Sequence, residues 1–94
     1  MSGHVFHPGH EALHGVTVVL DTTSGRTIIG RYHDTENGRM RLHEVAVHDP
    51  TTSEHPREEW LRRTLKFGVR TEHKFLAVPA EEVTKVTPLG EITG

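Results

Sequence analysis

The apolar residues of this chain come in runs too short for anything but strands. The longest, such as residues 16–20 and 76–78, are strand-sized, and neither of these approaches the twenty or so residues of a membrane-crossing helix. Glycine and proline punctuate the runs. Val16, Val18 and Leu20 alternate with Thr17 and Val19, the period of a strand. Ser24-Gly25 marks a turn, and residues 26–32 read as a second strand, favoured by Thr27, Ile28 and Ile29. Gly30 inside that strand marks a sharp bend or a close backbone approach. Asn37-Gly38 is the strongest hairpin signal in the chain.

A third strand is predicted over residues 40–48. Met40 and Leu42 share one parity, Val45 and Val47 the other, so a bulge is expected near Glu44. Residues 49–53 break the pattern. Residues 56–63 look helical, with Pro56 first and Trp60 and Leu61 as apolar contacts, and Leu65, Phe67 and Val69 alternate. The expectation is a loop or short helical turn followed by a strand over about 64–70. Strands over 74–78 and 83–87 flank a tight turn, Ala80-Glu81-Glu82, and Pro79 stops the first of them. At the front, Pro8 opens a helix of at most two turns through His14, and Gly15 suits the position after its end. Residues 1–7 are expected to be a flexible segment, 8–88 one domain, and 89–94 a tail.

Ninety-four residues suffice for one compact core. A third of them are apolar, so the core is modest and association between copies would help it. No cysteine is present, which excludes disulfides and thiolate metal sites. No cationic region precedes an apolar stretch at the N-terminus, so a soluble, cytoplasmic protein is expected, with no membrane partner. The formal charge of -2 argues against a strong general affinity for nucleic acid. Arg57, Arg62, Arg63, Lys66, Arg70 and Lys74 do cluster, interleaved with Glu54, Glu58, Glu59 and Glu72.

The order of short strands predicts an all-β small barrel. Two stretches carry a more specific likeness. Gly15-Val16-Thr17-Val18-Val19-Leu20 with Ser24-Gly25-Arg26-Thr27-Ile28-Ile29-Gly30 resembles the first motif of the Sm-like (LSm) family. Phe75-Leu76-Ala77-Val78-Pro79-Ala80-Glu81-Glu82-Val83 resembles the family's last two strands and their turn. Asp34 and Leu42 stand near family positions as well, Leu42 one residue late. The resemblance covers about 8–48 and 74–88. It implies a strongly bent five-stranded, SH3-like barrel with a short N-terminal helix, and residues 49–73 as an excursion between strands 3 and 4. Other SH3-like barrels, including PRC-type ones, share this pattern.

The resemblance also implies a non-catalytic module that assembles into a homo-oligomeric ring and binds RNA. Ring pairing would set Phe75, Leu76, Ala77 and Val78 against Val83 and Val86 of a neighbour. The RNA-facing candidates are Asp34, Asn37, Arg39 and Arg41 in the hairpin region, joined by Arg62, Arg63 and Lys66. Family RNA binders hold a base with a loop Asn and an Arg-Gly pair. Here Asn37 is out of register, and Ala77, Val78 and Pro79 stand where the pair would be.

Nine histidines are the compositional oddity, and His4, His7, His10 and His14 are spaced to offer imidazoles to zinc or nickel. A metal-binding or metal-sensing barrel is therefore a second reading. His10-Glu11-Ala12-Leu13-His14 matches the H-E-x-x-H arrangement. The helix available to it is short, the domain is too small for a cleft, and no third ligand is evident. His33-Asp34 and His48-Asp49 pair imidazole with carboxylate in loops. No activated nucleophile, phosphate loop or small-molecule substrate site is evident, so no enzyme is expected and no cofactor is required. Trp60 either stacks a ligand or caps the barrel beneath 49–73.

Overall fold

The computed structural model describes residues 14–92. Five antiparallel strands form one sheet: β1 (Thr17–Thr22), β2 (Thr27–Glu36), β3 (Arg39–His48), β4 (His73–Pro79) and β5 (Val83–Pro88). The spatial order is β4-β3-β2-β1-β5. A single α-helix, α1 (Arg57–Phe67), lies between β3 and β4 in the chain, and 3-10 turns occupy Ala80–Glu82 and Leu89–Glu91. The N-terminal helix expected over 8–14 falls on residues outside those described, apart from His14. That residue and Gly15 form a turn into β1, with Gly15 at φ 83°.

The sheet is bent rather than flat, and its register shows where. Val19 faces Ile29, but β2 and β3 slip between Ile29 and Arg31, and again between Tyr32 and Asp34. The slip leaves Glu44 with a left-handed backbone, φ 55°, at the bulge its parity change predicts. Gly30 is the inner side of the bend. A Cβ there would lie 2.9 Å from Val45 Cγ2, 3.1 Å from Leu42 Cβ and 3.3 Å from the His43 carbonyl oxygen. At the far end of the pair, Asn37 and Gly38 take φ 55° and 75°, both positive, as a two-residue type I′ turn requires.

Inside the bend sits the main core: Val18, Leu20, Ile28, Tyr32, Met40, Leu42, Val45 and Val78. A second cluster lies on the other face of β1 and β2, where Val19 and Ile29 pack against Leu61 of α1. Trp60, Val69, Leu89 and Ile92 close around it. Val18, Val19 and Leu20 are therefore all fully buried, because both faces of β1 are covered. Residues 89–92, expected to be a tail, instead pack Leu89 and Ile92 onto this outer layer.

The strand expected over 64–70 does not form. Those residues continue α1 to Phe67, and Gly68 ends it at φ 92° with its N–H on the Thr64 carbonyl (2.8 Å). Leu61 and Thr64 give the helix a buried face, while Leu65 and Phe67, which suggested a strand by alternating, point to solvent. Glu58 and Glu59 in the first turn and Lys66 in the last suit the helix dipole. Two contacts tie α1 to the sheet. Arg57 grips the Asp21 carboxylate (Nε–Oδ1 2.9 Å, Nη2–Oδ2 3.1 Å) and donates to Thr27 Oγ1 (3.1 Å). Buried His48 donates from Nε2 to the His55 carbonyl (2.7 Å) and packs its ring on Trp60.

Replacing Gly30 with alanine is expected to destabilise the domain by about 1–3 kcal/mol, because Val45 and backbone must give way. Urea denaturation against the parent chain measures it; equal midpoints and slopes would show that the bend does not depend on this contact.

Candidate functional site

Three groups of side chains carry the chemistry of the surface: the β2–β3 hairpin with the neighbouring β4–β5 turn, a row of histidines across the sheet, and the basic face of α1.

At the hairpin, Asp34 and Arg41 stand opposite each other across β2 and β3. The guanidinium grips the carboxylate through both Nε and Nη2. Its Nη1 reaches Glu36 at 3.1 Å. The Arg41 hydrogen bond holds the Asp34 carboxyl below its usual range, and Asp34 in turn raises Arg41. Arg41 thus spends its charge on two carboxylates, and neither it nor Asp34 is a free RNA contact. The pairing is implied by the turn itself. Once residues 37 and 38 form a two-residue loop, 36 faces 39, 35 faces 40 and 34 faces 41. Asn37 serves the turn through its backbone, and the exposed side chain of Arg39 makes no ion pair or hydrogen bond among the described residues. The β4–β5 turn comes to the same place, since Ala80 N–H donates to the Gly38 carbonyl at 2.8 Å.

Arg62, Arg63 and Lys66 do not join that group. They sit on α1, which the chain reaches from the far end of β3, and Leu61 anchors the helix at the level of Val19 and Ile29. Arg62 and Arg63 both pair with Glu59, at 2.7 and 3.0 Å, and Lys66 Nζ lies 5.4 Å from the centre of the Phe67 ring. The basic stretch and the hairpin are separate surfaces.

Of the four histidines read as metal ligands, His4, His7 and His10 lie outside the described residues. His14 donates from Nδ1 to the His33 carbonyl at 2.6 Å. Its ring starts a row of rings, with centroids 5.4 Å to His33, 5.0 Å on to His43, and 5.6 Å on to Phe75. This is ring packing rather than convergence: among the described residues no three His, Asp or Glu side chains come together as a metal site. His33 Nε2 lies 3.7 Å from Asp34 Oδ2, and the Asp49 carboxylate accepts from Thr51 in its own loop, whose hydrogen bonds lower the Asp49 carboxyl.

The row ends at the sheet's border. β4 and β5 are its two terminal strands, each hydrogen-bonded on one side only. Along them Phe75 is 49% exposed, Leu76, Ala77, Val83 and Val86 are half-buried, and Val78 is buried in the core. Among the described residues no helix is long and apolar enough to cross a membrane.

No protein-family model matches the chain, and neither does any curated protein. Solved structures do. The chain is similar to the Sm protein of Pyrococcus abyssii, solved in complex with a uridine heptamer, at 11% identity and TM-score 0.60, over 87% of this chain and 94% of that one. It is similar to the SmAP1 heptamer of P. aerophilum at 12% identity and TM-score 0.63, over 96% of each chain. A chain of the NatC complex bound to CoA matches at 15% identity and TM-score 0.56, over 83% and 80%. At these identities the likeness establishes the fold, and the fold is Sm-like.

The Asp34–Arg41 pair is expected to contribute to the stability of the hairpin. Because the Asp34 carboxyl is held below its usual value, that contribution is complete above about pH 4 and is lost as pH falls through the lower, folded value. Asp34→Asn is expected to lower the thermal midpoint at neutral pH, with the gap to the parent chain narrowing in acid. A gap that stays constant down to pH about 2 would show that the carboxylate charge is not what the pair uses.

Proposed function

We propose that this Sm-like barrel is a non-catalytic module that assembles with copies of itself into a ring, and that the ring takes single-stranded RNA. The observation that carries the reading is the sheet order. It leaves β4 and β5 as unlike open edges of one bent sheet, each with a row of backbone groups free for an antiparallel partner. Joining β4 of one copy to β5 of the next uses both edges of every copy, and the bend turns each addition in the same sense. Phe75, half exposed beside the β4 edge, gains cover by it. The heptameric assemblies among the similar structures support the same reading.

Light scattering tests assembly. The parent chain is expected at a whole-number multiple, five or more, of its 10.6 kDa mass. Phe75→Lys, which puts a charge on the edge, is expected to reduce that mass toward a single chain. A parent chain that runs as a monomer overturns the ring.

For RNA, the support is the convergence of the β2–β3 and β4–β5 turns, with the cation of Arg39 and the amide of Asn37 both exposed there. Arg41, Arg62 and Arg63, committed to carboxylates, have no part in it. Fluorescence anisotropy with labelled oligouridine is expected to show binding that weakens as salt rises, and Arg39→Ala is expected to weaken it and flatten its salt dependence. Absence of binding at low salt removes RNA and leaves the assembly.

A further inference from the structure

A groove of about 720 Å³ lies beside α1. Trp60, Arg63, Thr64 and Phe67 line one wall, a single helix face at spacings of three and four. The segments at 53–55 and 68–72 complete it. Its volume falls in the range of small-molecule sites. We propose that this groove binds a nucleotide unit with an amino-bearing base, an adenine, cytosine or guanine nucleotide with one phosphate.

Three features lead to that chemistry. The first is aromatic surface bordering the groove, with Lys66 Nζ over the Phe67 ring at 5.4 Å. Phe67 is 73% exposed although it borders a groove, and Trp60, half-buried against His48, borders it too. A base stacks on such rings at little cost in ordering. The second is a free cation. Arg70 lines the groove and makes no ion pair or hydrogen bond among the described residues, whereas Arg63 is held by Glu59. A planar guanidinium suits a phosphate oxygen pair. The third is an acceptor of matching kind. Glu54, exposed, also lines the groove and has no hydrogen bond of its own among the described residues; Glu72 is turned to the Val47 N–H (3.4 Å). A carboxylate accepts from an exocyclic amine, which adenine, cytosine and guanine carry and uracil lacks. One free arginine against these two carboxylates also limits the ligand to about one phosphate, so a polyphosphate or an acidic peptide fits poorly. The proposal does not depend on ring assembly, since no residue of the groove lies on β5 or on residues 73–79.

Trp60 is the only tryptophan, so its emission reports directly on the groove. Titration with AMP is expected to quench it saturably, and adenosine and UMP each to need about tenfold more, the usual worth of one charge-assisted hydrogen bond. Arg70→Gln is expected to weaken AMP by a similar factor and Phe67→Ala to weaken AMP and adenosine alike. Both positions are exposed, and circular dichroism checks that the fold survives. Phe75→Lys is expected to leave AMP binding unchanged, which separates this site from assembly. An oligoadenylate that quenches at lower concentration than AMP identifies RNA as the source of the nucleotide; one that does not identifies a free nucleotide. No saturable quenching at millimolar AMP, equal binding of adenosine and AMP, or an Arg70→Gln chain that binds AMP as the parent does would each overturn the proposal.

Discussion

The architecture depends on one close approach, Gly30 of β2 against Val45, Leu42 and the His43 carbonyl of β3. With no side chain in the way, the two longest strands fold across each other, and the register slips that follow put Ile28, Tyr32, Leu42 and Val45 into one core. The same bend turns Ile29 and Val19 outward together. That outward pair is what α1 covers, so the helix layer is a consequence of how β2 bends as much as of the helix's own sequence.

Much of the sheet is written locally. Asn37-Gly38 demands a turn with two positive φ values, and the parity change between Leu42 and Val45 demands an extra residue, found at Glu44. What local patterning hides is competition between elements. Leu65, Phe67 and Val69 alternate as a strand would, yet Leu61 and Thr64 gain burial only if the chain is helical, and the burial wins. Similarly, Val18-Val19-Leu20 is apolar without a break because a second layer exists, although nothing nearby in sequence names the residues, Leu61, Leu89 and Ile92, that form it.

The charged residues show why a list of cations is a poor guide to a binding surface. Arg41, Arg57, Arg62 and Arg63 are all engaged with carboxylates, two of them across long stretches of sequence or between strands. Arg57 reaches Asp21 and so fastens the start of α1 to β1, a role its position in a mixed-charge run does not suggest. Of the cations without a carboxylate partner, Arg39 stands beside the hairpin turn and Arg70 beside the groove. The Asp34–Arg41 pairing was deducible from the turn register alone, which makes register a better filter for free charge than composition.

The two border strands have a further consequence. They are not alike, so an assembly that grows through them has a direction. Each copy that joins covers one kind of edge and exposes the identical kind again, and growth halts only when the last copy meets the first. Where the angle between neighbours does not divide a full turn, the outcome is an open fibre instead. In the assembly proposed above, the curvature that Gly30 permits would act outside the single chain as well, setting whether growth ends in a particle of fixed size or does not end.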